Sequence, residues 1–145
     1  MQIRSILYVE DNPLDIELTI EAMKENSILN PIAITKDGVE ALEYLMCEGK
    51  YANRIGGNPS MILLDLKMPR MDGLELLTIL KKDPKFKRIP VVMLTSSREE
   101  KDLVKGYDLG VNAYVVKPID FLAFTDLVKQ ISTFWVITNE LPKDY

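Results

Sequence analysis

The sequence predicts an α/β fold: a doubly wound parallel sheet of five strands, in the order 2-1-3-4-5, with five helices covering both faces. Three observations lead there. Short apolar runs recur along the chain, and a segment with helical spacing follows each of them. Alternation of that kind gives parallel strands joined by helical crossovers. The runs are continuous rather than alternating, as strands buried on both faces should be. Finally, 145 residues with 47% hydrophobic content suit one domain with a real core.

Each element has its own signals. "SILYV" (Ser5 to Val9) is the first strand, ending at Glu10 and Asp11. Asn12 and Pro13 read as N-cap and first helical residue, with Asp15 in the first turn and Leu14, Leu18 and Met23 on the inner stripe. "PIAIT" (Pro31 to Thr35) is the second strand. Asp37-Gly38 opens a helix in which Val39, Leu42, Leu45 and Met46 keep helical spacing. Residues 49–60 form a polar, glycine-bearing loop, longer than most connections in a compact domain. "MILLD" (Met61 to Asp65) is the third strand, and Leu74, Leu77 and Leu80 line the helix after it. "PVVMLT" (Pro90 to Thr95) is the fourth strand, followed by polar "SSREEKD" and a helix stopped at Gly110. "NAYVVK" (Asn112 to Lys117) is the fifth, and Asp120 caps a last helix through Phe134. The expected domain is 1–134, with 135–145 as a C-terminal tail.

Composition removes several classes of chemistry. The chain has no histidine, which excludes Ser-His-Asp and Cys-His catalysis and the usual zinc sites. Cys47 is alone, so an intrachain disulfide is impossible and a reducing, cytoplasmic setting is expected. The net charge of -4, without a basic stripe, argues against nucleic acid. No apolar stretch is long enough for a bilayer, and "MQIRSILYVED" lacks the pattern of a signal peptide.

The stretch "MILLDLKMPRMDG" poses the functional question, because a core strand ends there on an acid. In doubly wound sheets the functional crevice lies at the carboxyl ends of the strands. Glu10 and Asp11 follow strand 1, and Asp65, Thr95 and Lys117 end strands 3, 4 and 5. With strands 1 and 3 adjacent, three carboxylates converge and repel one another. One Lys does not neutralise them, whereas Lys plus a divalent cation does. Oxygen-only donors in a small open site favour Mg²⁺. The first turn, "VEDNPLD", is acidic rather than glycine-rich, so it attracts a cation and repels bare phosphate. Thr95 and Lys117 supply a hydroxyl and an ammonium suited to a phosphoryl group, and a carboxylate can itself be the nucleophile. Taken singly, each residue has an ordinary reading as a helix cap, a backbone partner or a surface lysine. Their joint placement is the signal.

With these residues in hand, the chain resembles a receiver domain of two-component response regulators, with the flavodoxin-like fold of the bacterial chemotaxis regulator. The similarity covers roughly Ile6 to Phe134. It implies that Asp65 is the phosphoacceptor and that Asp11 and Asp65 bind Mg²⁺ directly. Glu10 would act mainly through a metal-bound water, and the main-chain carbonyl of Lys67 would be a further ligand. Thr95 and Lys117 would contact the phosphoryl oxygens, Tyr114 would be the aromatic switch, and Lys117-Pro118 would be a cis peptide. Met68-Pro69 and Asp72-Gly73 match the turning loop after the acceptor.

Two residues depart from the usual pattern. Glu10 replaces a more common Asp, and the long cation Lys67 borders the path of the water that would release the phosphoryl group. Beyond the last helix, Phe134-Trp135, five residues and Leu141-Pro142, together with the long loop before strand 3, are similar to single-domain regulators paired with phytochrome-type histidine kinases. That resemblance implies a homodimer through helix 4, strand 5, helix 5 and the tail, with Phe134 and Trp135 at the contact. The implied partners are a histidine kinase and a downstream protein target or phosphotransfer protein. The chain is expected to be no enzyme beyond slow self-catalysed phosphorylation and dephosphorylation.

Three alternatives share some features. A haloacid-dehalogenase-type phosphatase also uses an aspartyl nucleophile, but it needs an Asp where Lys67 stands. A flavin-binding domain needs a phosphate-cradling first loop, which Glu10 and Asp11 oppose. A docking module that is never phosphorylated would not need the full set of acids, Thr and Lys.

Overall fold

The structure is a computed structural model and describes residues 3–143 and 145. Five parallel strands, β1 (Ile6–Val9), β2 (Ile32–Thr35), β3 (Met61–Leu64), β4 (Val91–Thr95) and β5 (Ala113–Val116), lie in the order β2-β1-β3-β4-β5. The helices between and after them are α1 (Pro13–Glu25), α2 (Gly38–Met46), α3 (Gly73–Lys82), α4 (Glu100–Asp108) and α5 (Phe121–Ser132). Strand side chains alternate between two cores. Leu7, Val9, Ile62, Leu64 and Met93 pack with α2 and α3, whereas Ile6, Met61, Leu63 and Leu94 pack with α1 and α5. The expected fold class and strand order are those found.

Helix starts follow the sequence closely. Asn12, Asp37 and Asp120 each cap a helix through side-chain acceptance of backbone N–H groups. Asp72, read as a turn residue, also caps α3 in a capping box with Glu75. Gly110, at φ +96°, follows the end of α4, and the N–H of Val111 reaches back to the Gly106 carbonyl.

Helix rotation follows it less well. Met23 is buried as expected and Leu18 packs on the core, but Leu14 is exposed, and α1 buries Thr19 and Ala22 as well. Met46 is likewise exposed, and α2 buries Ala41, Tyr44 and Leu45. Gly38 is wedged against the Met71 side chain, with no room there for a Cβ. In α3, Leu76 joins Leu77 and Leu80 in the core, while Leu74 stays part-exposed.

Two further features differ from expectation. The Lys117-Pro118 peptide is trans, and the described residues contain no cis peptide bond; trans remains the favoured isomer even before proline. Helical backbone also continues past α5 with wider π geometry, from Thr133 to Thr138. The long loop before β3 holds a 3₁₀ turn (Gly49–Tyr51) and is tied down by Arg54. The Arg54 Nε donates to the Tyr44 carbonyl at 2.7 Å, and its guanidinium lies 4.1 Å from the Tyr44 ring centroid. No helix among the described residues is long and apolar enough to cross a membrane.

Candidate functional site

Parallel register brings the acids together. Val9 of β1 pairs with Leu64 of β3, so Glu10 and Asp65 leave adjacent strands at the same edge. The Glu10 N–H bonds to the Thr35 carbonyl at 2.9 Å and the Asp65 N–H to the Val9 carbonyl at 3.0 Å, which holds both exits in sheet geometry. One carboxylate oxygen from each of Glu10, Asp11 and Asp65 lies within 4.8 Å of the others. Glu10 and Asp65 are buried, and Asp11 is exposed. Three oxygen donors at that separation, without sulfur or imidazole, fit a hard divalent cation.

Lys117 is the counter-charge. Its Nζ lies 2.5 Å from Glu10 Oε1, 2.8 Å from Asp15 Oδ2 and 3.7 Å from Asp65 Oδ1. Burial alone would lower its pKa, but the hydrogen bonds it donates to Asp15 and Glu10 and the charge of Asp65 raise it. Burial pushes the Glu10 carboxyl up to about 7; Lys117 opposes that rise and Asp65 adds to it. Glu10 is also held from below and behind. Its Oε2 accepts from the Asp11 and Asn12 N–H groups at 3.2 and 3.4 Å. Tyr8, two residues earlier on the same face of β1, donates to Oε1 at 3.5 Å and accepts from the Thr19 hydroxyl at 3.2 Å. Burial, then the Glu10 charge, push the Tyr8 phenol far above its usual value, so it stays a neutral donor.

These groups open into a cleft of about 420 Å³ lined by Asp11, Asp65, Lys67, Thr95 and Lys117, among others. The loop beyond Asp65 is pinned at its far end. The Gly73 N–H bonds to the Leu66 carbonyl at 2.7 Å, and a Cβ on Gly73 would overlap the Asp65 carbonyl oxygen. That close approach explains the glycine of "MDG".

From Thr95 a hydrogen-bonded path leads away from the cleft. Its Oγ1 accepts from the Ser97 N–H at 3.3 Å, and the Ser97 hydroxyl donates to the buried Asp102 of α4 at 2.6 Å. The Tyr114 hydroxyl donates to the Ser97 carbonyl at 3.1 Å, with its ring half-buried against Gly106. Tyr114 and Thr95 are therefore joined through one residue of the β4–α4 loop.

The structure thus brings Glu10, Asp11, Asp65, Lys67, Thr95 and Lys117 to one cleft and sets Tyr114 one step behind it. Phe134 and Trp135 are elsewhere, beyond α5. Their rings stack edge-on at 5.0 Å, Phe134 exposed and Trp135 packed partly on the core beneath α1 and α5. Sequence reasoning missed Asp15 as a partner of Lys117, and also Tyr8, Ser97 and Asp102. For Asp15 the signal was only an acid in the first turn of a helix that begins at the site. For Tyr8 it was a hydroxyl two residues before Glu10 in a strand otherwise apolar.

Comparison with known proteins agrees with this geometry. Residues 6–130 match the family model of the response regulator receiver domain. The chain is 40% identical to the response regulator Rcp1 of Synechocystis sp. over 137 residues, covering 94% of this chain and 92% of that one. Among solved structures, the phosphorylated cyanobacterial phytochrome response regulator RcpA superposes with a TM-score of 0.90 at 42% identity, over 98% of this chain and 100% of that one. The Mn²⁺-bound form of Rcp1 superposes with a TM-score of 0.88 at 40% identity, over 96% of this chain and 99% of that one. The chain belongs to the response regulator receiver domain family.

Proposed function

We propose that this receiver domain is a phosphoacceptor switch in which Asp65 takes a phosphoryl group from the phosphohistidine of a histidine kinase. One observation carries the reading: the Asp65 carboxylate shares a single cleft with two further acids within 4.8 Å and with the ammonium of Lys117. Glu10, Asp11 and Asp65, with the main-chain carbonyl of Lys67, would hold Mg²⁺. Bound there, the ion neutralises charge on the phosphoryl oxygens. The Asp65 carboxylate attacks phosphorus in line as the bond to the donor nitrogen breaks. Lys117 offers its ammonium to one phosphoryl oxygen and Thr95 its hydroxyl to another.

The response follows from the hydrogen bonds of Thr95. Drawn toward the phosphoryl group, its hydroxyl leaves the Ser97 N–H, and the β4–α4 loop loses a tether. Tyr114 is bonded to the carbonyl of the same residue, so its ring follows that loop. The face of α4, β5 and α5 changes as a population shift of a few kcal/mol rather than a new fold.

The likeness to RcpA and Rcp1 supports a phytochrome-type kinase as donor. Exposed Ile119, which lines the cleft, and exposed Leu14 and Leu122, in the first turns of α1 and α5, supply an apolar landing for it. Exposed Tyr107, Phe134 and Ile137 support a homodimer or a downstream protein contact on the α4–β5–α5 side, with 135–145 as a tail adding to that face. Lone Cys47 supports a cytoplasmic setting. The test is phosphotransfer from a labelled phytochrome-type kinase. Label should pass to the wild type and not to Asp65→Asn; equal labelling of both would refute the assignment.

A further inference from the structure

The loop carrying Lys67 is held from outside the acidic cleft. Arg70 sits on it in the left-handed region, at φ +59°, a conformation that residues with a Cβ seldom adopt. The turn around it is the tight three-residue kind, closed by the Met71 N–H on the Pro69 carbonyl at 2.7 Å. What fixes Arg70 there is a fork-like pair with Asp37. Its Nε donates to Asp37 Oδ2 at 2.7 Å and its Nη2 to Oδ1 at 3.1 Å. The Asp37 side chain is only 7% exposed, while that of Arg70 is 57% exposed.

Two more contacts reinforce the junction. The Gly38 N–H bonds to the Met71 carbonyl at 2.9 Å, and Gly38 leaves room for the Met71 side chain, which any Cβ would strike. Asp37 therefore serves twice. Its Oδ1 caps α2 by accepting from the Glu40 N–H at 2.9 Å, and the whole carboxylate grips the loop. Neither Asp37 nor Arg70 lines the acidic cleft.

We propose that Asp37 and Arg70 are positioning residues for the cation site, a latch that holds residues 67–71 so that the Lys67 carbonyl can serve as a ligand beside the acids. This rests on the reading of Glu10, Asp11 and Asp65 as a divalent-cation site. Without the latch the left-handed turn relaxes, the carbonyl wanders, and cation uptake weakens although every carboxylate remains. Groups that orient a metal's ligands typically cost ten- to a hundredfold in affinity when removed.

The experiment is calorimetric titration of the full chain with Mg²⁺, for wild type, Arg70→Ala, Arg70→Lys, Asp37→Asn and the double variant Asp37→Asn/Arg70→Ala. Asp37→Asn keeps an acceptor for the cap and loses the charge, which separates the two duties of Asp37. Arg70→Ala and Asp37→Asn should each raise the Mg²⁺ Kd about tenfold. The double variant should be no weaker than either single one, and Arg70→Lys, which keeps charge without the fork, should fall between. Amide exchange of residues 67–71 should quicken in Arg70→Ala while the sheet keeps its protection. Wild-type Kd in both single variants, or losses that add in the double variant, would overturn the latch. If the wild type itself takes up no Mg²⁺, the cation site falls and the latch with it.

Discussion

The ammonium of Lys117 lies 2.5 Å from Glu10 Oε1 but 3.7 Å from Asp65 Oδ1, although all three groups meet in one cleft. The residue best placed to greet a phosphoryl group is therefore engaged first by the acid beside the acceptor and by Asp15. It holds together a cluster that would otherwise repel itself.

Lys117→Met should destabilise the fold by about 3 kcal/mol, since removing one partner leaves Glu10 buried without a counter-charge. Urea unfolding without Mg²⁺ measures this, and added Mg²⁺ should recover part of the loss. An unchanged midpoint would mean that Glu10 is satisfied by its backbone donors alone.

Tyr8→Phe should cost about 1–2 kcal/mol. The substitution removes a donor from Glu10 and leaves the buried Thr19 hydroxyl without its acceptor. Thermal unfolding of the two proteins compares them directly, and the shape of the core is otherwise kept.

Lys67 is exposed and lines the cleft that holds Asp65. Lys67→Asn should change the rate at which the phosphorylated protein loses its label, while the fold stays intact. Equal decay of wild type and variant would remove Lys67 from that role.

Asp37 gives a pH prediction. Burial pushes its carboxyl upward, but the hydrogen bonds from Arg70 and the Glu40 N–H outweigh burial and hold it below its ordinary 3.8. A depressed carboxyl binds fewer protons folded than unfolded, so it stabilises the fold above that ordinary value and stops doing so as pH falls through the folded one. The stability gap between wild type and Asp37→Asn should therefore be full near neutrality and close as the solution is taken below about pH 4.

Much of this was legible in the chain, for identifiable reasons. Continuous apolar runs end sharply at Glu10, Asp65, Thr95 and Lys117, and parallel order alone then puts those ends at one edge. Asn12, Asp37 and Asp120 announce their helices because capping is local chemistry. What stayed hidden depends on contacts between distant segments. Leu14 and Met46 keep helical spacing yet are exposed, whereas Thr19 is buried, because which face of a helix is covered is set by distant segments packed against it. The Asp37–Arg70 pair joins residues 33 positions apart on either side of a strand crossing, and no spacing rule links them. Asp15 was visible only as a charge in a first turn until Lys117 arrived from β5 to claim it.

The most direct measurement is intact-mass analysis of the protein incubated with acetyl phosphate, with and without Mg²⁺, for wild type and Asp65→Asn. The account predicts one added phosphoryl group on the wild type, dependent on Mg²⁺ and absent from the variant. Uptake that persists in Asp65→Asn, or none on the wild type with Mg²⁺ present, would contradict it.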